Sequence, residues 1–176
     1  VFEWLEKSVK TADPEAREKM HNASTMAGMA FANAFLGMSH SMAHKIGGVH
    51  HTIHGRTNAI LLPYVIRYNG TRPAKTATWP KYNYWKADEK FQDIAKMLGL
   101  PHSTPEEAVE AYAKAVYELG VAVGIKMNFK DQGIDEKAWK DSLHEIALLA
   151  YEDQCSPANP RLPMVADMEE IMADEI

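Results

Sequence analysis

Along this chain apolar positions recur every three or four residues, and nowhere do apolar and polar residues alternate long enough to suggest a strand. The pattern predicts an all-α protein. In "KADEKFQDIAKMLGL", Phe91, Ile94, Ala95 and Leu98 fall at i, i+3, i+4 and i+7, the stripe of a surface helix, and Gly99 can accept the backbone geometry that stops it. The next helix is announced by Thr104 as cap, Pro105 in the first position and Glu107 completing a capping box, with Ala108, Tyr112, Ala115 and Leu119 as its apolar face. Asp13 and Pro14 open an earlier helix through "EAREKMHNASTMAGMAFANA". Its second half carries no charge after Lys19 and is rich in small residues, so it is expected to be buried on most sides.

"RTNAILLPYVIRYN" reads as a mostly buried helix that Pro63 should kink or break. "GTRPAKTATWPKYNYW", bracketed by Pro73 and Pro80, reads as loop. "IDEKAWKDSLHEIALLAYED" and "MVADMEEIMADE" supply two further helices, joined through "CSPANPRLP", in which Asn159 to Arg161 should form a structural turn with Arg161 pinning a domain interface. The methionines, including Met26, Met29, Met38 and Met42, are expected to fill the core.

Composition narrows the functions available. A hydrophobic content of 46% over 176 residues suffices for one compact domain. A net charge of −5 leaves no cationic excess for a phosphate backbone, so nucleic acid is not an expected partner, and no apolar run approaches the length of a membrane span. Cys155 is the single cysteine, which excludes an internal disulfide and a Cys-rich zinc motif and fits a reducing cytoplasm. The opening "VFEWLEKSV" has neither initiator Met nor signal core, and the chain is expected to be cut from a longer polypeptide.

The candidate chemistry lies in "SHSMAHKIGGVHHTIHG", which holds five of the eight histidines. On a helix, His40 and His44 project from one face a turn apart. Ser41 stands where a HExxH metalloprotease needs its glutamate, which excludes that class. Gly47 and Gly48 are suited to ending the helix, and a short return segment would bring His54 back beside His40, leaving His50 and His51 at the turn as surface or supporting groups. Two imidazoles are an incomplete site for Zn²⁺ or Fe²⁺, which take three or four protein ligands. The residues alone leave open whether the cluster binds metal or satisfies a helical core.

The stretch "AFLGMSHSMAHKIGGVHHTIHGRTNAILLPYVIRYN" resembles the metal-binding signature of the iron-containing (group III) alcohol dehydrogenases, and most of all the alcohol dehydrogenase half of bifunctional aldehyde-alcohol dehydrogenases. The resemblance rests on Gly37, His40, Ala43, His44, Gly47, His54 and Gly55, and extends upstream into "AREKMHNASTMAGMAFANAFLG" and downstream to "DQCSPANPRLP". Ile53 stands where the family usually has Pro. The resemblance implies that residues 1–176 are the helical C-terminal domain of a dehydroquinate synthase-like fold, an all-helical metal-binding domain whose N-terminal dinucleotide-binding domain is absent from this chain. It implies His40 and His54 as metal ligands, with an Asp and a His of a preceding helix completing the set. It implies His44 lining the cleft without binding metal, either as a proton relay or as a packing group. Fe²⁺, with Zn²⁺ as the other candidate, would act as Lewis acid on a small alcohol or aldehyde, and NAD would be bound mainly by the missing domain. Further implied partners are that nucleotide domain and copies of the chain in a homo-oligomer or filament. The alternative is a non-catalytic helical metal-binding or assembly domain.

Overall fold

The computed structural model describes residues 1–73 and 85–174, and these form eight α-helices with no strand among them. They are α1 (Leu5–Thr11), α2 (Pro14–Ala34), α3 (Met38–His50), α4 (His54–Gly70), α5 (Ala87–Met97), α6 (Pro105–Ala122), α7 (Glu136–Tyr151) and α8 (Val165–Ala173), with a short 3-10 turn at Ser156–Ala158. Among the described residues no helix is long and apolar enough to cross a membrane. Several boundaries follow from side chains that satisfy the first turn's unpaired N–H groups. Asp13, Thr104 and Asp135 accept from Ala16, Glu107 and Ala138 at the starts of α2, α6 and α7. At α6 the Glu107 carboxylate reaches one residue further back than a capping box requires, accepting from the Ser103 N–H at 2.7 Å. Gly99, at φ +70°, follows α5 as the spacing predicts.

Helix α4 is the centre of the fold. One side, with Ile60, Leu61 and Val65, packs with Met38, Met42 and Ile46 of α3 and with residues of α7 and α8. Within this core Phe129 stacks on Trp139 at 4.6 Å, and the Trp139 indole donates to the Met172 carbonyl. The other side, through Ile66, meets Val109 and Ala113 of α6, with Phe91 of α5 against them. Each fully buried Ile, Leu or Met side chain contributes about 1.5–3 kcal/mol.

A buried amide ties three distant segments together. Asn159 is 1% exposed. Its Oδ1 accepts from the Met38 N–H at 3.2 Å, and its Nδ2 donates to Asn69 Oδ1 at 2.7 Å and to the Arg161 carbonyl at 2.7 Å. The start of α3, the end of α4 and the turn after α7 are thereby fixed to one another. The clamp explains Gly37: a Cβ there would lie 2.6 Å from Asn159 Oδ1. Arg161 pins the end of α4, donating to the Tyr68 carbonyl at 3.0 Å and stacking on the Tyr68 ring.

Helix α1 is one that no sequence motif announced. Several sequence expectations are corrected. Helix α2 is not buried: Ala16 is its one buried residue, its main neighbour is α1, and Met26, Met29 and Phe31 are 68%, 65% and 48% exposed. Its uncharged surface faces solvent, and two of the methionines assigned to core lie outside it. Pro63 does not break α4, which runs on to Gly70 with Pro63 buried inside it. Gly47 and Gly48 do not end α3, which continues to His50 and stops at His51, with φ 55°. The expected loop 70–85 lies mostly outside the described residues.

Replacing Gly37 by Ala should destabilise the chain by about 1–3 kcal/mol in urea unfolding, the usual range for overpacking. The cost should shrink in an Asn159→Ser background, where the clashing amide is gone. By contrast Met29→Gln should shift stability by less than about 0.5 kcal/mol, as at any exposed position, while lowering the binding of an apolar-surface dye.

Candidate metal centre

The cluster starts from the azimuth of α3. Met38, Ser39, Met42, Ala43 and Ile46 turn inward, so the helical period places His40 and His44 on the opposite face. After His51 the chain does not turn directly into a hairpin. Thr52 and Ile53 run back over α3, with the Thr52 carbonyl 3.5 Å from where a Gly47 Cβ would sit. Gly47 therefore makes room for the return segment rather than terminating the helix. Ile53, in extended conformation, then delivers His54 as the first residue of α4.

Three imidazoles converge as a result. The ring centres of His40 and His54 are 5.3 Å apart, those of His44 and His54 5.2 Å, and those of His40 and His44 6.3 Å. Ring planes separate these pairs chemically. His44 and His54 are stacked at 15°, so their in-plane lone pairs lie in nearly parallel planes that do not meet at one ion. His40 and His54 are tilted by 54°. Two imidazoles that each place a nitrogen about 2.0–2.1 Å from one ion at a near-tetrahedral angle hold their centres roughly 5 Å apart, which the His40–His54 pair matches. Burial, and then the charges of His54 and His44, push the His40 imidazole below its usual pKa. That favours the neutral ring, the form that ligates a metal.

Neighbouring groups orient the rings. Asn58, one turn after His54, lies 3.2 Å from His54 Nε2 and is itself held by the Ser39 hydroxyl at 2.9 Å. His44 directs Nδ1 at Asp153 Oδ2, 3.2 Å away. His50 lies away from the trio, with Nε2 2.9 Å from the Ser142 hydroxyl and its ring beside Trp139, where it joins α3 to α7. His51 is exposed at the turn. Asp153 and Asn58 were missed by sequence reasoning. Asn58 had a signal in its helical i+4 spacing from His54, whereas Asp153 is 109 residues from His44 and had none.

Among the described residues, one set of three metal-capable side chains brings its ligating atoms within 4.8 Å of one another: His44, Asp153 and Cys155. Its chemistry does not suit a cation. The Lys45 ammonium already sits 2.9 Å from Asp153 Oδ2, and burial, with Asp153 beside it, pushes the Cys155 thiol up to about 11, far from the thiolate a metal needs. Asp153 is the anchor of a charged network instead. Burial alone would raise its carboxyl, but the Cys155 N–H, Lys45 and His44 outweigh burial and hold it well below the usual carboxylate range.

Comparison with known proteins places this geometry in context. Residues 1–176 match the family described as Fe-containing alcohol dehydrogenase family, C-terminal. The chain is 80% identical over 174 residues to an aldehyde-alcohol dehydrogenase of Streptococcus pneumoniae, covering 99% of this chain and 20% of that protein. It is 38% identical to the bifunctional aldehyde-alcohol dehydrogenase of Escherichia coli K12, covering 92% of this chain and 18% of that protein. Among solved structures, a 1,3-propanediol oxidoreductase superposes with a TM-score of 0.84 at 32% identity over 99% of this chain and 42% of that one. The chain thus spans about a fifth of the length of the first two relatives.

The Asp153 network predicts an acid limb. The unfolded carboxyl titrates near about 3.9 and the folded one below it, so its stabilising contribution is complete above that value and is lost as pH falls further. In unfolding titrations from pH 5 downward, Asp153→Asn should be less stable than the parent at the upper end, and the difference should narrow towards the acid end.

Proposed function

The chain belongs to the Fe-containing alcohol dehydrogenase family, and from that premise we propose that residues 1–176 are the all-helical, metal-bearing domain of an NAD-dependent alcohol dehydrogenase. The reaction interconverts aldehydes and primary alcohols such as acetaldehyde and ethanol in the cytoplasm. The observation that supports this most directly is the His40–His54 pair, 5.3 Å apart and tilted at 54°, on the residues that match the family's signature.

His40 and His54 would hold the metal, Fe²⁺ or alternatively Zn²⁺, and the remaining ligands, an Asp and a His in the family, come from outside these residues. When bound, the metal supplies Lewis-acid polarisation of the substrate oxygen. The chain's own contribution is positional. The return segment and the Asn159 clamp set the angle between the two ligating rings, while Asn58 holds the His54 ring against α4. His44, with 35% of its side chain exposed, stands beside the ligands and takes or gives the proton of the alcohol oxygen through the nitrogen not turned to Asp153. NAD, which would be held mainly by an N-terminal nucleotide-binding domain, would supply the hydride acceptor or donor. That domain, or a second copy of the chain in an oligomer or filament, would cover the apolar face of α2.

Three variants of the full-length enzyme test the reading, with metal analysis beside steady-state ethanol oxidation. His54→Ala should lose metal and turnover together, with little recovery on adding Fe²⁺. His44→Ala should keep its metal while turnover falls by roughly 10²-fold or more, the loss expected for a positioned proton-transfer group. His51→Ala should do neither. Loss of metal from the His51 variant and its retention by the His54 variant would overturn the ligand assignment. Normal turnover in all three would favour a non-catalytic assembly role.

A further inference from the structure

The stretch after α7 carries a carboxylate that the proposed mechanism has not used. Asp153 is 8% exposed at its side chain, and each of its oxygens has a partner: Oδ1 accepts from the Cys155 N–H at 3.0 Å, while Oδ2 lies 2.9 Å from Lys45 Nζ and 3.2 Å from His44 Nδ1. An ionised carboxylate can only accept hydrogen bonds, so a neutral His44 must carry its proton on Nδ1 and present Nε2 as the lone-pair nitrogen. The carboxylate cannot easily follow the ring if the ring moves, because the Cys155 backbone and Lys45 hold it in place. Lys45 is adjacent to His44 on α3, so the same short piece of helix supplies both the imidazole and the cation that immobilises its acceptor.

We propose that Asp153 is the positioning residue for His44: it fixes the Nδ1–H tautomer and the rotation of the imidazole so that Nε2 faces the substrate side of the cluster. The inference rests on the proton-transfer role proposed for His44 and adds a residue that neither binds metal nor touches substrate. It assigns function to the segment between α7 and the 3-10 turn, far in sequence from the histidines.

The test uses the full-length enzyme, with ethanol and NAD as the probe reaction and metal content measured in parallel. Removing the carboxylate leaves Lys45 without its counter-charge, so Asp153→Asn is paired with the double variant Lys45→Met/Asp153→Asn, in which no buried charge is left uncompensated. Both should lower kcat by about 10- to 100-fold, the usual cost of losing a group that orients a functional histidine, with metal retained and the KM for ethanol within about threefold of the parent. In a His44→Ala background the same Asp153 change should lower kcat no further, since the ring it orients is already gone. Parental kcat in the double variant, or a second full decrement on top of His44→Ala, would overturn the role of Asp153 while leaving that of His44 standing. Parental kcat in His44→Ala alone would remove the proton-transfer reading, and Asp153 as its positioning residue with it.

Discussion

The geometry of the histidine cluster depends on one buried amide. Asn159 binds the first N–H of α3, the side chain of Asn69 at the end of α4 and the carbonyl of Arg161, all without contact with solvent. A buried, fully engaged amide resists displacement because breaking any one of its bonds strands a polar group away from water, at about 1–3 kcal/mol. Fixing the start of α3 fixes its rotation about its own axis, and that rotation decides whether His40 and His44 point toward His54 or into the core. Gly37 is part of the same constraint, since a side chain there would occupy the space of the amide.

With α3 fixed, the return of the chain does the remainder. A tight hairpin after His51 would leave His54 near His50, roughly 15 Å along the helix from His40 at 1.5 Å per residue. The Thr52 carbonyl seated against Gly47 and the extended Ile53 close that gap. The ring angles then distinguish two pairs that spacing alone could not. The stacked His44 cannot share an ion with His54, and its Nδ1 is already directed at Asp153.

What the sequence revealed and what it concealed divide along a physical line. Caps at Asp13 and Thr104, the stop at Gly99 and the proximity of His40 to His54 were legible, because each depends on residues within a few turns of one another. The Asn159 clamp, the Asp153 partner of His44 and the Arg161 contact with Tyr68 were not, because they join residues 90 or more positions apart. Pro63 misled for a related reason: local propensity disfavours a helix there, but burial of Ile60, Leu61, Val65 and Ile66 on both sides keeps the helix unbroken past it. Gly47 misled because a glycine serves close packing as readily as it serves a turn, and sequence does not say which.

Helix α2 misled in a more informative way. Its composition says buried and its structure says exposed, and both statements are correct if composition reflects an assembly larger than these residues. An apolar helix face is costly to leave in water, and on the proposed reading the nucleotide-binding domain or a second copy of the chain covers it. With His40 and His54 as the proposed ligands, the histidine pair makes the same demand in different chemistry, since two imidazoles leave half of a four-coordinate ion's sphere unfilled. Helix α2 leads into α3 through three residues, so the uncovered face and the proposed ligands follow one another in the chain. On the proposed reading a single partner, the part of the relatives' length that this chain does not span, meets both demands. Closing the apolar face and completing the metal would then be one event, and the ion would be bound only where the cleft is formed.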